Sequence, residues 1–154
     1  DLYRRSVYTF WRRTIAPPAM VTFDASNRET CVVRIGRTNT PLQALNLMND
    51  ETYLEASRRL AERMLKEGGK ASRARLRYGF QMATARLPLS TEETILLEVL
   101  GQFKHDFQAR EEDAFHYLAK GASAWDETLD PGELSAYSCV ASVILNLDET
   151  ITKE

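Results

Sequence analysis

Apolar residues recur along most of this chain at the three-to-four-residue spacing of helices that bury one face. Over residues 2–14, Tyr3, Val7, Phe10, Trp11 and Thr14 share one face and Arg5, Arg12 and Arg13 the other, which predicts an amphipathic helix. It stops near Ile15, because Pro17 and Pro18 cannot continue it. A second helix is predicted at Thr40-Pro41-Leu42-Gln43. There the threonine caps, proline suits the first helical position, and glutamine completes a capping box. Leu42, Leu45 and Met48 form its apolar stripe. Asn49 and Asp50 look like a further cap, at a break or a kink, opening a longer helix with Leu54, Ser57, Ala61, Met64 and Leu65 inside. Gly68-Gly69 ends it.

Three more stretches repeat the pattern. Leu76, Phe80, Ala83 and Leu87 line a helix over about 71–86, stopped by Pro88. Ser90-Thr91-Glu92-Glu93 reads as a capping box before Ile95, Leu96, Val99, Leu100, Phe103 and Phe107. The polar run at 108–113 interrupts the stripe, which resumes at Ala114, Phe115 and Leu118 and closes at Gly121. Asp130-Pro131-Gly132-Glu133 starts the last helix, with Leu134, Tyr137, Ala141, Ile144 and Leu145 inward. The expected fold is all-α: a single-domain bundle of five to seven helices over residues 1–154.

Residues 15–39 break the rule. They carry no helical periodicity, and long loops in compact domains tend to be functional or to hold structure of their own. Met20 to Phe23 and Cys31 to Ile35 have strand-like composition, with a turn-prone run at 24–29 between them. A short β-hairpin is therefore one expectation inside a long polar loop. The candidate site lies here: Asp24, Asn27, Arg28, Glu29, Arg34, Arg37, Asn39 and Gln43, beside a helix N-terminus. Two readings stand. Arginines and free backbone N–H groups could bind an anion. Alternatively, Asp24, Glu29 or Asp50 pair with Arg28, Arg34 or Arg37, and the loop is a structural polar network. The structural reading is preferred.

Length and charge narrow the classes. At 154 residues and net charge −2 the chain suits one domain. Residues 1–50 carry net +3, residues 51–100 net +2, and residues 101–154 net −7. The basic front could meet an anionic partner or pair with the acidic back inside the domain; the second is preferred. No apolar run is long enough to span a bilayer, and no signal peptide opens the sequence. Cys31 and Cys139 are too few for a disulfide framework or zinc site, and no CxxCH motif attaches haem. His105 and His116 lie eleven residues apart, too far along a helix to share a metal, and read as solvated. No metal ligand set or cofactor is expected in this domain.

Catalytic and nucleic-acid signatures are absent. No serine sits in GxSxG, and no phosphate loop occurs. Glu92-Glu93, Glu111-Glu112 and Asp148-Glu149 fall in caps or charged faces, and capping accounts for Glu93 and Glu133. The aromatics Tyr3, Phe10 and Trp11 turn inward, leaving the arginines beside them without a stacking platform, so no nucleic acid is expected.

The runs RRSVYTFWRRTIAPPAM, TFDASNRETC and RTNTPLQALNLMND, with ELSAYSCVASVILNLDETITKE at the end, resemble the secreted planctomycete domain of unknown function (the PSD-one domain, domain of unknown function number 1553). The resemblance covers essentially the whole chain and is strongest over 4–50 and 133–154. Its loop pattern falls on Asp24, Asn27, Arg28, Glu29, Cys31, Arg37, Thr38, Asn39, Thr40, Pro41 and Gln43, with Ser26 where a proline is usual. It implies a fragment of a larger exported multidomain protein, periplasmic or extracellular, associated with a cytochrome-c-like domain. That compartment favours a Cys31–Cys139 bridge more than the residues alone do. No catalytic residue carries over. The expected function is a non-catalytic interaction or scaffold module. Its partners would be other domains of the same chain, or an extracellular protein or glycan. The alternative is the substrate-binding part of a polysaccharide-degrading or redox enzyme completed by other domains.

Overall fold

The computed structural model describes residues 6–12, 15–26, 31, 33, 36 and 38–152, and the statements below concern these. After a single 3-10 turn, Ser6–Tyr8, come α1 (Pro18–Thr22), α2 (Pro41–Asn49) and α3 (Glu51–Glu67). They are followed by α4 (Ser72–Thr84), α5 (Ser90–Ala109), α6 (Glu111–Leu118), α7 (Pro131–Leu145) and α8 (Asp148–Ile151). No strand forms among the described residues, so the fold is all-α. Six helices have eight residues or more, within the expected five to seven; α1 and α8 are single short turns of five and four residues.

The bundle forms around α7. Its Leu134, Ala136, Tyr137, Val140, Ala141 and Ile144 are all fully buried. α3 supplies Ala61, Met64 and Leu65 to the same core, α4 Leu76 and Phe80, α5 Leu96 and Leu100, and α6 Leu118. Burying one such large side chain is worth about 1.5–3 kcal/mol, so this cluster dominates the fold. Close packing of α3 on α4 depends on Gly79, where a Cβ would come within 2.5 Å of Met64 Sδ.

Local signals placed the helix ends well. Thr40 and Gln43 form the expected reciprocal box, with Pro41 at the first helical position. Asp50 caps α3 by accepting from Thr52 N–H at 2.9 Å, and its extended backbone makes the Asn49–Asp50 junction a break. Asp130 accepts from Glu133 N–H at 2.7 Å to start α7. Before α5 only half a box exists. Glu92 accepts from Leu89 N–H at 2.7 Å, and Leu89 has no side-chain acceptor to return the bond.

Several expectations need correction. The helix over 2–14 is not what residues 6–12 form: beyond the 3-10 turn, Val7, Tyr8 and Phe10 are exposed, Phe10 at 82%. An amphipathic helix draws most of its stability from packing its apolar face, and here Val7 and Phe10 of that face are exposed while Trp11 is half-buried. Residues 1–5, 13 and 14 lie outside the described set. The hairpin's first arm is also wrong, because Met20, Val21 and Thr22 belong to α1. Pro17 and Pro18 pre-set a helical start that outweighs the strand-like composition. Of the second arm, only Cys31 and Val33 are described, and neither is in a strand. Leu87, Ile95 and Phe115, expected in the core, are 60%, 58% and 51% exposed; α4 ends at Thr84, which leaves Leu87 beyond the helix.

A polar knot that turns α2 outward

The short α1 ends in a left-handed cap. Ala25 N–H bonds to Met20 O at 2.8 Å and Asp24 N–H to Val21 O at 3.1 Å, which places Asp24 at φ +57. Glycine usually takes this position, and aspartate is among the few residues that tolerate it. The turn aims the Asp24 carboxylate across the loop, where Oδ2 accepts from Thr38 N–H at 2.7 Å and Thr38 Oγ1–H at 2.8 Å. Those bonds hold its carboxyl below the ordinary value; the hydroxyl contributes most, then the amide, with Gln43 adding to them.

Gln43 completes the knot. Its Nε2 donates to Thr22 O at 2.8 Å and to Thr38 Oγ1 at 3.4 Å, while Oε1 accepts from Thr40 N–H at 2.9 Å. The residue is only 2% exposed. Asn39 reaches elsewhere: its Nδ2 donates to Asp148 Oδ1 of α8 at 2.6 Å, tying the loop to the far end of the chain. Three of the eight candidate residues, Asp24, Asn39 and Gln43, are thus placed, and two of them share one network. Asn27, Arg28, Glu29, Arg34 and Arg37 lie outside the described residues, and so does the expected pairing of the three arginines.

The knot has a geometric consequence. α2 buries Gln43 and Leu47, and its apolar stripe faces out, with Leu42 and Leu45 each 59% exposed and Met48 49% exposed. An apolar stripe ordinarily faces the core; this one does not. Val21 on α1, which packs against α2, is also 58% exposed. The main apolar cluster takes no described residue before Leu60, although Leu47 is buried where α2 meets α3 and α7.

Sequence reasoning missed the other polar networks. Capping does not account for the Glu93 and Glu133 carboxylates: Glu92 makes the bond to Leu89 N–H, and both of the others face cations of neighbouring helices. Glu93, 6% exposed, pairs with Arg77, whose hydrogen bond is the main cause that holds its carboxyl down, and lies 3.7 Å from Arg73, which adds to it. Glu133 Oε1 takes both Arg75 at 3.1 Å and Lys104 at 2.8 Å, and both cations lie over the buried Tyr137 ring. On α3, Glu55 and Arg58 are 4% and 2% exposed. Their three-residue spacing was the available signal, though charges at that spacing ordinarily mark a solvated face.

Chemically, these arrangements hold structure together. The carboxylates of Asp24, Glu55, Glu93, Glu133 and Asp148 face donors, and among the described residues no group of three or more His, Cys, Asp and Glu could hold a metal ion. His105 and His116 are exposed, on α5 and α6. Both cysteines are free thiols: Cys31 is exposed, and Cys139 is half-buried beside Tyr117. Burial pushes the Cys139 thiol up to about 11, and it is the main cause that raises the Tyr117 hydroxyl as well. No described helix is long and apolar enough to cross a membrane.

Compared with known proteins, residues 1–100 match the family model PSD1, protein of unknown function (DUF1553), and the chain belongs to that family. The match stops at residue 100, so it does not extend to the resemblance read at 133–154. No curated protein and no solved structure matches the chain.

Proposed function

We propose that this member of the PSD1 family is a non-catalytic interaction module whose docking surface is the outward face of α2. The observation that carries the reading is the inversion of that helix. Gln43, a polar residue, is buried and bonded on both sides, while Leu42, Leu45 and Met48 stand in solvent. Keeping three large apolar side chains exposed forgoes burial worth about 1.5–3 kcal/mol each, an arrangement that suits a surface covered by something else. The knot of Asp24, Thr38 and Gln43 supports this reading as the device that fixes the direction of the face. In this reading the domain belongs to an exported, periplasmic or extracellular, planctomycete protein. It docks other domains of its own chain, among them a cytochrome-c-like one, or an extracellular protein or glycan.

Leu45→Lys tests it. In binding assays against the remaining domains of the longer chain and a glycan panel that includes sulfated glycans, the variant should weaken protein binding about tenfold, or ~1.4 kcal/mol. Unchanged protein binding would overturn the reading. So would glycan binding that survives Leu45→Lys and is lost in Arg37→Ala; that result would favour the substrate-binding part of an enzyme completed by other domains.

A further inference from the structure

The geometry points to a strap: we propose that the α6–α7 connection, residues 119–130, opens as one unit while α3 to α7 stay packed, with Glu55 and Arg58 as its latch. α3 directs Glu55, Arg58, Glu62 and Lys66 at this connection. Glu55 Oε2 accepts from Ala122 N–H at 2.7 Å and Ser123 N–H at 3.4 Å, and Ser123 Oγ–H donates to Glu55 Oε1. Arg58 donates to the carbonyls of Leu118, of Lys120 at 3.3 Å and of Ser123 at 2.6 Å, and to Ser123 Oγ at 2.9 Å. Further along, Glu62 Oε1 accepts from Asp126 N–H at 3.3 Å and Lys66 pairs with Asp126.

The holding forces differ in kind from those of the bundle. The bonds come from charged side chains of α3 and end mostly on backbone groups of the strap, both of which water can serve once the strap lifts, and desolvated charges regain hydration on opening. The core helices would lose apolar contacts that water cannot replace. Within the strap only Trp125 and Leu129 pack on the core. Opening it therefore costs less than unfolding the bundle, the condition for an independent cooperative unit. Four side chains of one helix grip it along its length, so releasing the latch frees the whole segment. Gly121 allows the close fit: it sits at φ +100, and a Cβ there would lie 2.5 Å from Glu55 Oε2 and 2.9 Å from Glu55 Cβ.

Native-state hydrogen exchange on the intact chain decides it. The amides of Ala122, Ser123 and Asp126 should exchange through one shared opening, at least about tenfold faster than those of Val140 and Ala141 in α7. Glu55→Gln should speed the strap amides about tenfold again and leave the α7 amides within about twofold. Gly121→Ala, which presses on the same carboxylate, should act in the same direction. Equal protection of strap and α7, shifting together in either variant, would overturn the proposal. So would loss of folding in both variants, since the latch would then be part of the global fold.

Discussion

Gln43 has its side-chain oxygen on Thr40 and its side-chain nitrogen on Thr22 and Thr38, so truncating it strands half-buried backbone groups on two segments. Gln43→Ala should lower stability by about 1–3 kcal/mol, the cost of leaving such groups unpaired, as read by urea unfolding. A change below about 0.5 kcal/mol, ordinary for surface positions, would mean that the knot does not hold the loop. The two thiols make a second residue-scale prediction. Burial keeps Cys139 protonated, with its thiol pushed up to about 11, whereas Cys31 is exposed. The thiolate is the reactive form, so at pH 8 an alkylating reagent should label Cys31 first, and Cys139 only on a much longer timescale. Equal rates would contradict the burial of Cys139. At this scale the sequence was readable where a residue acts on near neighbours, as Thr40 and Gln43 do in their box. It assigns Glu93 and Glu133 to capping alone, because nothing local says which arginine or lysine of another helix will face a carboxylate.

Elements were legible where caps and stripes agreed, and misread where a stripe had no core to face. α3 and α7 came out as expected because both sit in the middle of the bundle. α2 began where its capping box put it, yet Leu42, Leu45 and Met48 point away from the core. Periodicity identifies a face but not the side on which the rest of the protein lies. Arg86 governs another element-scale property, since it joins the end of α4 to Glu92 of α5 at 2.7 Å and Glu149 of α8 at 2.6 Å. With Leu89 N–H, its guanidinium holds the Glu92 carboxyl down to about 2 from the ordinary 4.5, and Glu149 is lowered too. A carboxylate whose folded pKa is depressed adds stability above its unfolded pKa and loses it as pH falls through the folded one. The wild-type melting temperature should therefore fall between about pH 4.5 and pH 2, and Arg86→Ala should flatten that part of the profile. Parallel profiles for the two proteins would remove Arg86 from the clamp.

Across the whole molecule, two parts follow different logic. From α3 onward, apolar stripes converge on α7 and build an ordinary bundle. The first fifty residues lie within the stretch, residues 1–100, that the family model matches. What is described of them is knotted internally by Gln43 on Thr22 and Thr38, and meets the rest of the chain through the Asn39 bond to α8, the Phe23 ring against Tyr53 and the buried Leu47. The all-α class was legible because it follows from the bundle alone. The candidate site was legible as a concentration of polar residues but not as an arrangement: Asp24 meets Thr38, a residue without charge, through a left-handed turn that composition does not specify. The central claim is that α2 turns Gln43 and Leu47 inward and its stripe of Leu42, Leu45 and Met48 outward, and paired urea unfolding of two variants tests it most directly. Leu45→Lys should leave stability within about 0.5 kcal/mol, as at an ordinary surface position, whereas Leu47→Ala, at the buried position two residues on, should cost about 2–3 kcal/mol. A loss above about 2 kcal/mol in Leu45→Lys, of the size that marks a buried position, would place the stripe in the core and contradict the account.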